Sequence, residues 1–85
     1  MTNLLKYILK NIRFTKLVYG RINKKLNLAL SNNEIEKLVN KILKKINNKC
    51  IEIHGKNIYA ANYKYNIVIT INKNTCRVIT INKFN

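Results

Sequence analysis

The spacing of apolar residues changes near Asn48, and this change divides the chain into a helical half and a β half. Between Ser31 and Asn48, apolar residues recur at intervals of three and four, as on one face of an α-helix. Beyond Cys50 they alternate with polar residues, which is typical of strands with one buried face. Because 85 residues leave room for one domain, we expect a single unit over 1–85, helical at about 3–47 and β at about 50–83.

Two or three helices are predicted in the first half. Ser31-Asn-Asn-Glu34 matches a capping box, in which each side chain bonds the other residue's backbone amide. A helix should therefore begin there and continue to about Asn48. Two further apolar stripes predict helices at about 3–13 and 15–27. The second stripe consists of Leu17, Val18, Ile22 and Leu26.

Four strands are predicted in the second half. Their ranges are Cys50–His54, Asn57–Tyr63, Asn66–Asn72 and Thr75–Lys83. The connections are short, and short connections permit hairpins but not crossovers. We therefore expect an α+β fold in which the helices pack on one face of a four-stranded antiparallel meander.

The register of the last hairpin stays open between two alternatives. A two- or four-residue loop around Lys73-Asn74 places Val78 and Cys76 on the face of Ile67, Ile69 and Ile71. A three-residue loop, with Asn74 in the left-handed conformation, places Ile79 and Ile81 there instead. We prefer the second register because it makes that face wholly isoleucine.

The charge balance limits the class of partner. Seventeen Lys and Arg against three acidic residues give a formal charge of +14. An excess this large favours an anionic partner, either nucleic acid or an acidic surface of a nucleic-acid-handling protein or ribonucleoprotein. The cations that we expect to anchor this partner are Arg13, Arg21, Lys25, Lys37, Lys41, Lys44 and Lys45.

Tyrosines interleaved with lysines predict a second kind of contact, on the sheet. Tyr59, Tyr63 and Tyr65 share strand parity; Lys56 precedes the first of them, and Lys64 lies between the last two. Single-stranded nucleic acid stacks its bases on aromatic rings and pairs its phosphates with cations. We therefore predict a stacking platform at these five residues; in the alternative, a turn within Asn62–Asn66 breaks the shared parity.

Few groups in the sequence suit catalysis or metal binding. It lacks a glycine-rich nucleotide loop, a metal-binding His pair and paired carboxylates, and Cys50 and Cys76 are interpreted as reduced thiols rather than a disulfide or zinc ligands. We expect no cofactor and no metal. His54, the single histidine, is interpreted as a surface residue at a strand end. In the alternative interpretation it is the acid or base of a ribonuclease, with helpers Lys56, Tyr59 and Arg77.

No apolar run approaches the roughly 18 residues of a membrane span, and the first residues lack the pattern of a secretory signal. We expect a cytoplasmic protein. An exposed edge strand would allow two copies to pair as a homodimer.

Several blocks resemble a small family of uncharacterised bacterial proteins of about this length. The blocks are Leu17–Leu26, Glu34–Leu38, Gly55–Asn57, Ile69–Asn72 and Arg77–Thr80. The resemblance implies a helix-then-sheet domain and brings no activity or site residues. The order of helices before a meander is also similar, in topology and charge only, to the ribonuclease toxins of toxin–antitoxin pairs.

Three hypotheses follow. The first is a non-enzymatic binding protein that docks on nucleic acid or on a nucleic-acid-handling enzyme, as an anti-CRISPR-like inhibitor of a host nuclease from a mobile element would. The second is a ribonuclease toxin acting through His54, and the third is a structural RNA-associated protein. We prefer the first, because a binder needs only a complementary surface.

Overall fold

The computed structural model describes residues 4–84, which form three helices followed by a four-stranded sheet. The helices are α1 (Leu4–Asn11), α2 (Val18–Leu26) and α3 (Asn32–Lys44), with a short 3₁₀ turn at Asn48–Cys50. The strands are β1 (Ile51–His54), β2 (Asn57–Asn62), β3 (Ile67–Asn72) and β4 (Val78–Lys83). Every neighbouring pair is antiparallel and the order is β1-β2-β3-β4, so the predicted α+β fold with a meander is confirmed. The predicted start of the first helix, at residue 3, lies outside the described residues.

Helix α3 begins where the capping box predicts. The Ser31 Oγ accepts a hydrogen bond from the Glu34 amide at 3.2 Å, and the Glu34 Oε1 accepts one from the Ser31 amide at 2.9 Å. The helix ends at Lys44, earlier than predicted. The reason is that Asn47 caps a separate 3₁₀ turn, in which its Oδ1 accepts from the Lys49 amide.

Helix α2 is shorter than predicted, because Leu17 is its N-cap rather than a core residue. The Leu17 side chain is 79% exposed, so its assignment to the buried stripe is wrong. Val18, Ile22 and Leu26 are buried, four residues apart on one face. This face holds α2 against the rest of the molecule.

The inner face of the sheet packs against the helices in one hydrophobic core. Helix α2 lies along β4, and α3 contacts α1, α2 and β2. The sheet residues of this core are Ile58, Ala60, Ile67, Ile69, Ile71, Val78 and Ile81. The helices contribute Ile8, Val18, Ile22, Leu26, Ile35, Val39, Ile42 and Leu43. Burial of branched aliphatic side chains from every layer is the main force that joins the two halves.

A β-bulge in β4 combines the two registers that the sequence left open. Ile69 lies opposite Ile81, but Ile71 lies opposite Val78, and the irregularity falls between these two pairs. The preferred register is therefore correct for Ile81 and wrong for Ile79, which is only half-buried. The left-handed residue of the loop is Cys76, with φ +59°, rather than the predicted Asn74.

Side-chain caps at the turns explain why two strands are shorter than predicted. The Asn62 Oδ1 accepts from the amides of Lys64 and Tyr65, so β2 ends before the predicted Tyr63. The Asn72 Oδ1 accepts from the amides of Asn74 and Thr75, which keeps those residues in a turn and delays β4 to Val78.

Candidate nucleic-acid interface

Four lysines of α3 line one groove between α1 and α3. Lys37, Lys41, Lys44 and Lys45 fall at helical spacing on the face opposite the buried one, and they share the groove with Asn40 and with Leu9 of α1. We call these six residues the lysine groove. The structure thus brings together the four α3 cations that the sequence predicts as anchors, whereas Leu9 and Asn40 were missed because their positions depend on how the helices pack.

Among the described residues, 4–84, no carboxylate forms an ion pair with a lysine of the groove. Glu34 is held in the capping box, Glu36 accepts a hydrogen bond from the Tyr19 hydroxyl at 2.6 Å, and Glu52 lies 3.1 Å from His54 Nε2. The charge of the groove lysines is therefore available to an external anion.

These internal contacts shift the pKa of one carboxylate, Glu34, and of one tyrosine, Tyr19. Hydrogen bonds from the Ser31 amide and hydroxyl lower the pKa of Glu34, and the charge of Lys37 lowers it further. The hydrogen bond to Glu36 raises the pKa of Tyr19. Both carboxylates are thus engaged in hydrogen bonds within the protein.

Tyr65 extends the lysine groove toward the β2–β3 turn. The Lys45 Nζ donates to the Tyr65 hydroxyl at 3.3 Å and lies 5.8 Å from the ring centroid. This hydrogen bond lowers the pKa of Tyr65, and the charges of Lys41 and Lys64 act in the same direction. The ring also packs against the core, so it holds the Lys45 ammonium at the end of the groove.

The structure does not bring the three tyrosines of the predicted platform together on one face of the sheet. Tyr59 points to the outer face, since its neighbours Ile58 and Ala60 face the core. Tyr63 is 66% exposed in the turn, where its ring meets Phe84 edge-on at 5.2 Å. Because β2 ends before Tyr63, strand parity does not continue to Tyr65, which lies on the helix side with Lys45.

The residues of the ribonuclease alternative come together only in part. His54 lies beside Glu52, as parity predicts, and its ring centroid is 5.7 Å from that of Tyr59. Lys56 is in the adjoining hairpin turn. Arg77 precedes β4, and three strand spacings separate β4 from β1, about 14 Å. Arg77 is therefore not positioned to assist His54.

The three arginines of the chain instead gather around the start of β4. Arg13 forms a parallel bridge with Arg77, in which the Arg13 amide donates to the Cys76 carbonyl at 2.8 Å and the Val78 amide donates to the Arg13 carbonyl at 2.9 Å. The Arg21 Nη1 donates to the Ile79 carbonyl at 3.3 Å. The sequence gives no sign of this grouping, because it depends on a contact between residues more than sixty positions apart.

Lys24 and Lys25 add to this arginine region. They line a shallow groove with Arg21, Gly20 and two residues of β4, Thr80 and Asn82. The predicted anchors thus separate into two sets, one on α3 and one where α2 meets β4. Lys25 belongs to the second set, and Lys24 was not among the predicted anchors.

The described residues show no metal-binding cluster and no membrane-spanning helix. Cys50 and Cys76 are both free thiols, and within residues 4–84 no three His, Cys, Asp or Glu side chains converge. No helix in that range is long and apolar enough to cross a bilayer.

Fold and surface together define the class as a small basic helix-then-meander domain. A family model described as "Protein of unknown function (DUF3781)" matches residues 6–82, and the chain belongs to that family. No curated protein and no solved structure matches. The likeness to ribonuclease toxins therefore finds no support in these comparisons.

Proposed function

We propose that the protein is a non-enzymatic binding protein that docks on nucleic acid through the lysine groove. The observation that carries the proposal is the groove itself, which presents four ammonium groups and no carboxylate among its lining residues. A phosphate backbone is the ligand that such a row neutralises, with release of condensed counterions. Nucleic acid is accessible in the cytoplasm, which is the compartment expected from the sequence.

The length of the row sets the size of the footprint. Lys37 and Lys45 are eight positions apart, which corresponds to about 12 Å along a helix axis. Each strand of a duplex carries one phosphate per roughly 3.4 Å, so the row faces about three to four phosphates. We expect the logarithm of the affinity to fall with the logarithm of salt concentration at a slope of about −3.

The test is fluorescence anisotropy with single-stranded RNA, duplex RNA and duplex DNA, titrated between about 50 and 200 mM salt. The key variant carries Lys41→Glu and Lys44→Glu, and it leaves Lys45 in place so that the contact with Tyr65 is kept. Its matched control carries Lys73→Glu and Lys83→Glu, two exposed lysines outside the groove with the same total change of charge. We expect the groove variant to lose affinity at least about tenfold and the slope to shrink by about two.

Three results would contradict docking on nucleic acid through the groove. Equal losses in the two variants would show that net charge alone governs binding. An unchanged groove variant would place the interface elsewhere. Weak binding of all three probes, with little dependence on salt, would direct the search to an acidic protein surface, as expected of a nuclease inhibitor.

A further inference from the structure

We infer that a pocket between the start of α2 and the β3–β4 loop binds one nucleotide unit, with its phosphate at Arg21 and Arg77. The pocket has a volume of about 310 Å³, at the small end of the range for ligand sites. We call it the arginine pocket, and its polar lining consists of Thr15, Arg21, Asn72, Thr75 and Arg77. It shares no residue with the lysine groove, so the inference does not depend on the proposed function.

The two guanidinium groups belong to elements that are fixed in place. Arg21 uses one Nη1–H to reach the Ile79 carbonyl, and a guanidinium has five N–H donors in all, so donors remain for a ligand. The backbone of Arg77 is held on both sides, because its carbonyl accepts from the Asn72 amide at 2.9 Å and it forms the bridge with Arg13. Planar forks on a rigid frame are suited to phosphate oxygens.

The end of β3 and the connection to β4, which carry Asn72 and Thr75, are equally constrained. The Asn72 Oδ1 accepts from two amides, and the Asn72 carbonyl accepts from the Cys76 amide at 2.9 Å. This leaves the Asn72 Nδ2, together with the hydroxyls of Thr15 and Thr75, as neutral donors in the pocket lining. No carboxylate lines the pocket, so its polar groups favour an anion.

The apolar part of the pocket indicates more than a bare phosphate. Leu17 is 79% exposed and lines the pocket, where Val18, Val78 and Ile79 also contribute. An exposed leucine beside two arginines offers a flat apolar contact to a sugar or base while the guanidinium groups hold the phosphate. A nucleoside monophosphate, either free or at the end of a strand, combines these two chemistries.

The third arginine lies next to this pocket. Arg13 lines a neighbouring cavity of about 290 Å³, and that cavity shares Thr75 and Arg77 with the arginine pocket. The positive charge of Arg13 therefore adds to that of Arg21 and Arg77 near the proposed phosphate position.

The test is heteronuclear NMR of the backbone amides during titration with adenosine monophosphate, inorganic phosphate and adenosine. We expect adenosine monophosphate to shift amides at 15–18 and 75–78, with a dissociation constant on the order of 1 mM or below. Inorganic phosphate should shift the same amides more weakly, and adenosine should have almost no effect. Oligonucleotides with and without a 5′-phosphate then distinguish a free nucleotide from a strand end as the source of the ligand.

The variants separate charge from geometry. Arg77→Gln should weaken nucleotide binding about tenfold, whereas the charge-matched Lys73→Gln, outside the pocket, should leave it unchanged. Arg77→Lys keeps the positive charge and should fold normally. It should still lose most of the affinity for the nucleotide, because an ammonium group cannot form the planar fork. Leu17→Ala should weaken binding of the nucleotide and not of phosphate.

Either of two results overturns the inference. One is the absence of shifts at 15–18 and 75–78 with millimolar nucleotide, and the other is an equal loss in Arg77→Gln and Lys73→Gln. The groove variant with Lys41→Glu and Lys44→Glu should retain nucleotide binding. The anisotropy assay therefore tests the proposal for the lysine groove, and the NMR titration tests the inference for the arginine pocket separately.

Discussion

At the scale of single residues, Asn62 joins the two halves of the molecule. Its side chain is 3% exposed, and its Nδ2 donates to the Ile42 carbonyl near the end of α3 at 2.9 Å. Its Oδ1 at the same time accepts from the amides of Lys64 and Tyr65. One amide group therefore ends β2, shapes the following turn and fastens the sheet to the helix that carries the lysine groove.

Replacement of Asn62 should lower the free energy of unfolding far more than replacement of Asn82. Asn62→Ala removes one donor and one acceptor from a buried network, and we expect the free energy of unfolding to fall by about 1–3 kcal/mol in urea denaturation. Asn82→Ala, a half-buried asparagine on the outer face of β4, is the control and should change stability by less than about 0.5 kcal/mol. Similar losses in the two variants would show that the Asn62 network contributes little.

At the scale of elements, local chemistry in the sequence determines what could be predicted. The capping box locates the start of α3 correctly, because its two hydrogen bonds join residues three positions apart. The alternation within each strand and the short connections between strands are also local features, and they predict the meander and its inner isoleucines. The bulge at Ile79 and the exposure of Leu17 were not predicted, since both depend on how β4 fits against β3 and α2. The arginine pocket escaped prediction because its residues meet only where α2 packs along β4 and the β3–β4 loop.

The capping box also makes α3 sensitive to acid. The pKa of Glu34 is lowered in the folded state, mainly by the Ser31 amide, from its usual value of 4.5. A depressed carboxyl pKa contributes stability above the unfolded value and loses it as the pH falls through the folded value. Glu34→Gln retains an acceptor but no charge, so its melting temperature should lie below that of the parent at about pH 6, and the gap should close toward about pH 3. A gap that persists in acid would mean that the charge of Glu34 is unimportant.

At the scale of the whole molecule, the charge works against the fold. The formal charge of +14 is confined to a body with a radius of gyration of 11.9 Å, and the Debye length at 0.1 M salt is about 10 Å. Cations on opposite sides therefore repel each other at low ionic strength. The free energy gained by hydrophobic burial in the shared core must exceed the free energy of this repulsion. A bound polyanion would reduce the repulsion.

Salt should accordingly stabilise the protein. Between about 20 and 500 mM sodium chloride we expect the melting temperature, followed by circular dichroism, to rise by several degrees, since 1 kcal/mol corresponds to about 4–8 °C in a domain of this size. The variant with Lys41→Glu and Lys44→Glu should melt higher at low salt and respond less to added salt. A melting temperature that is flat or falls with salt would show that repulsion among the cations is negligible.

The bridge between Arg13 and Arg77 has a consequence for assembly. Arg13 pairs with Arg77 at the start of β4, along the edge of that strand that faces away from β3. Helix α2 lies along β4, and Arg21 donates a hydrogen bond to the Ile79 carbonyl. Growth of the sheet on that side is thereby blocked, which leaves β1 as the edge that can accept another strand. Two copies joined through β1 would have no further open edge. Association by strand addition would then stop at a closed pair and could not propagate into a fibre.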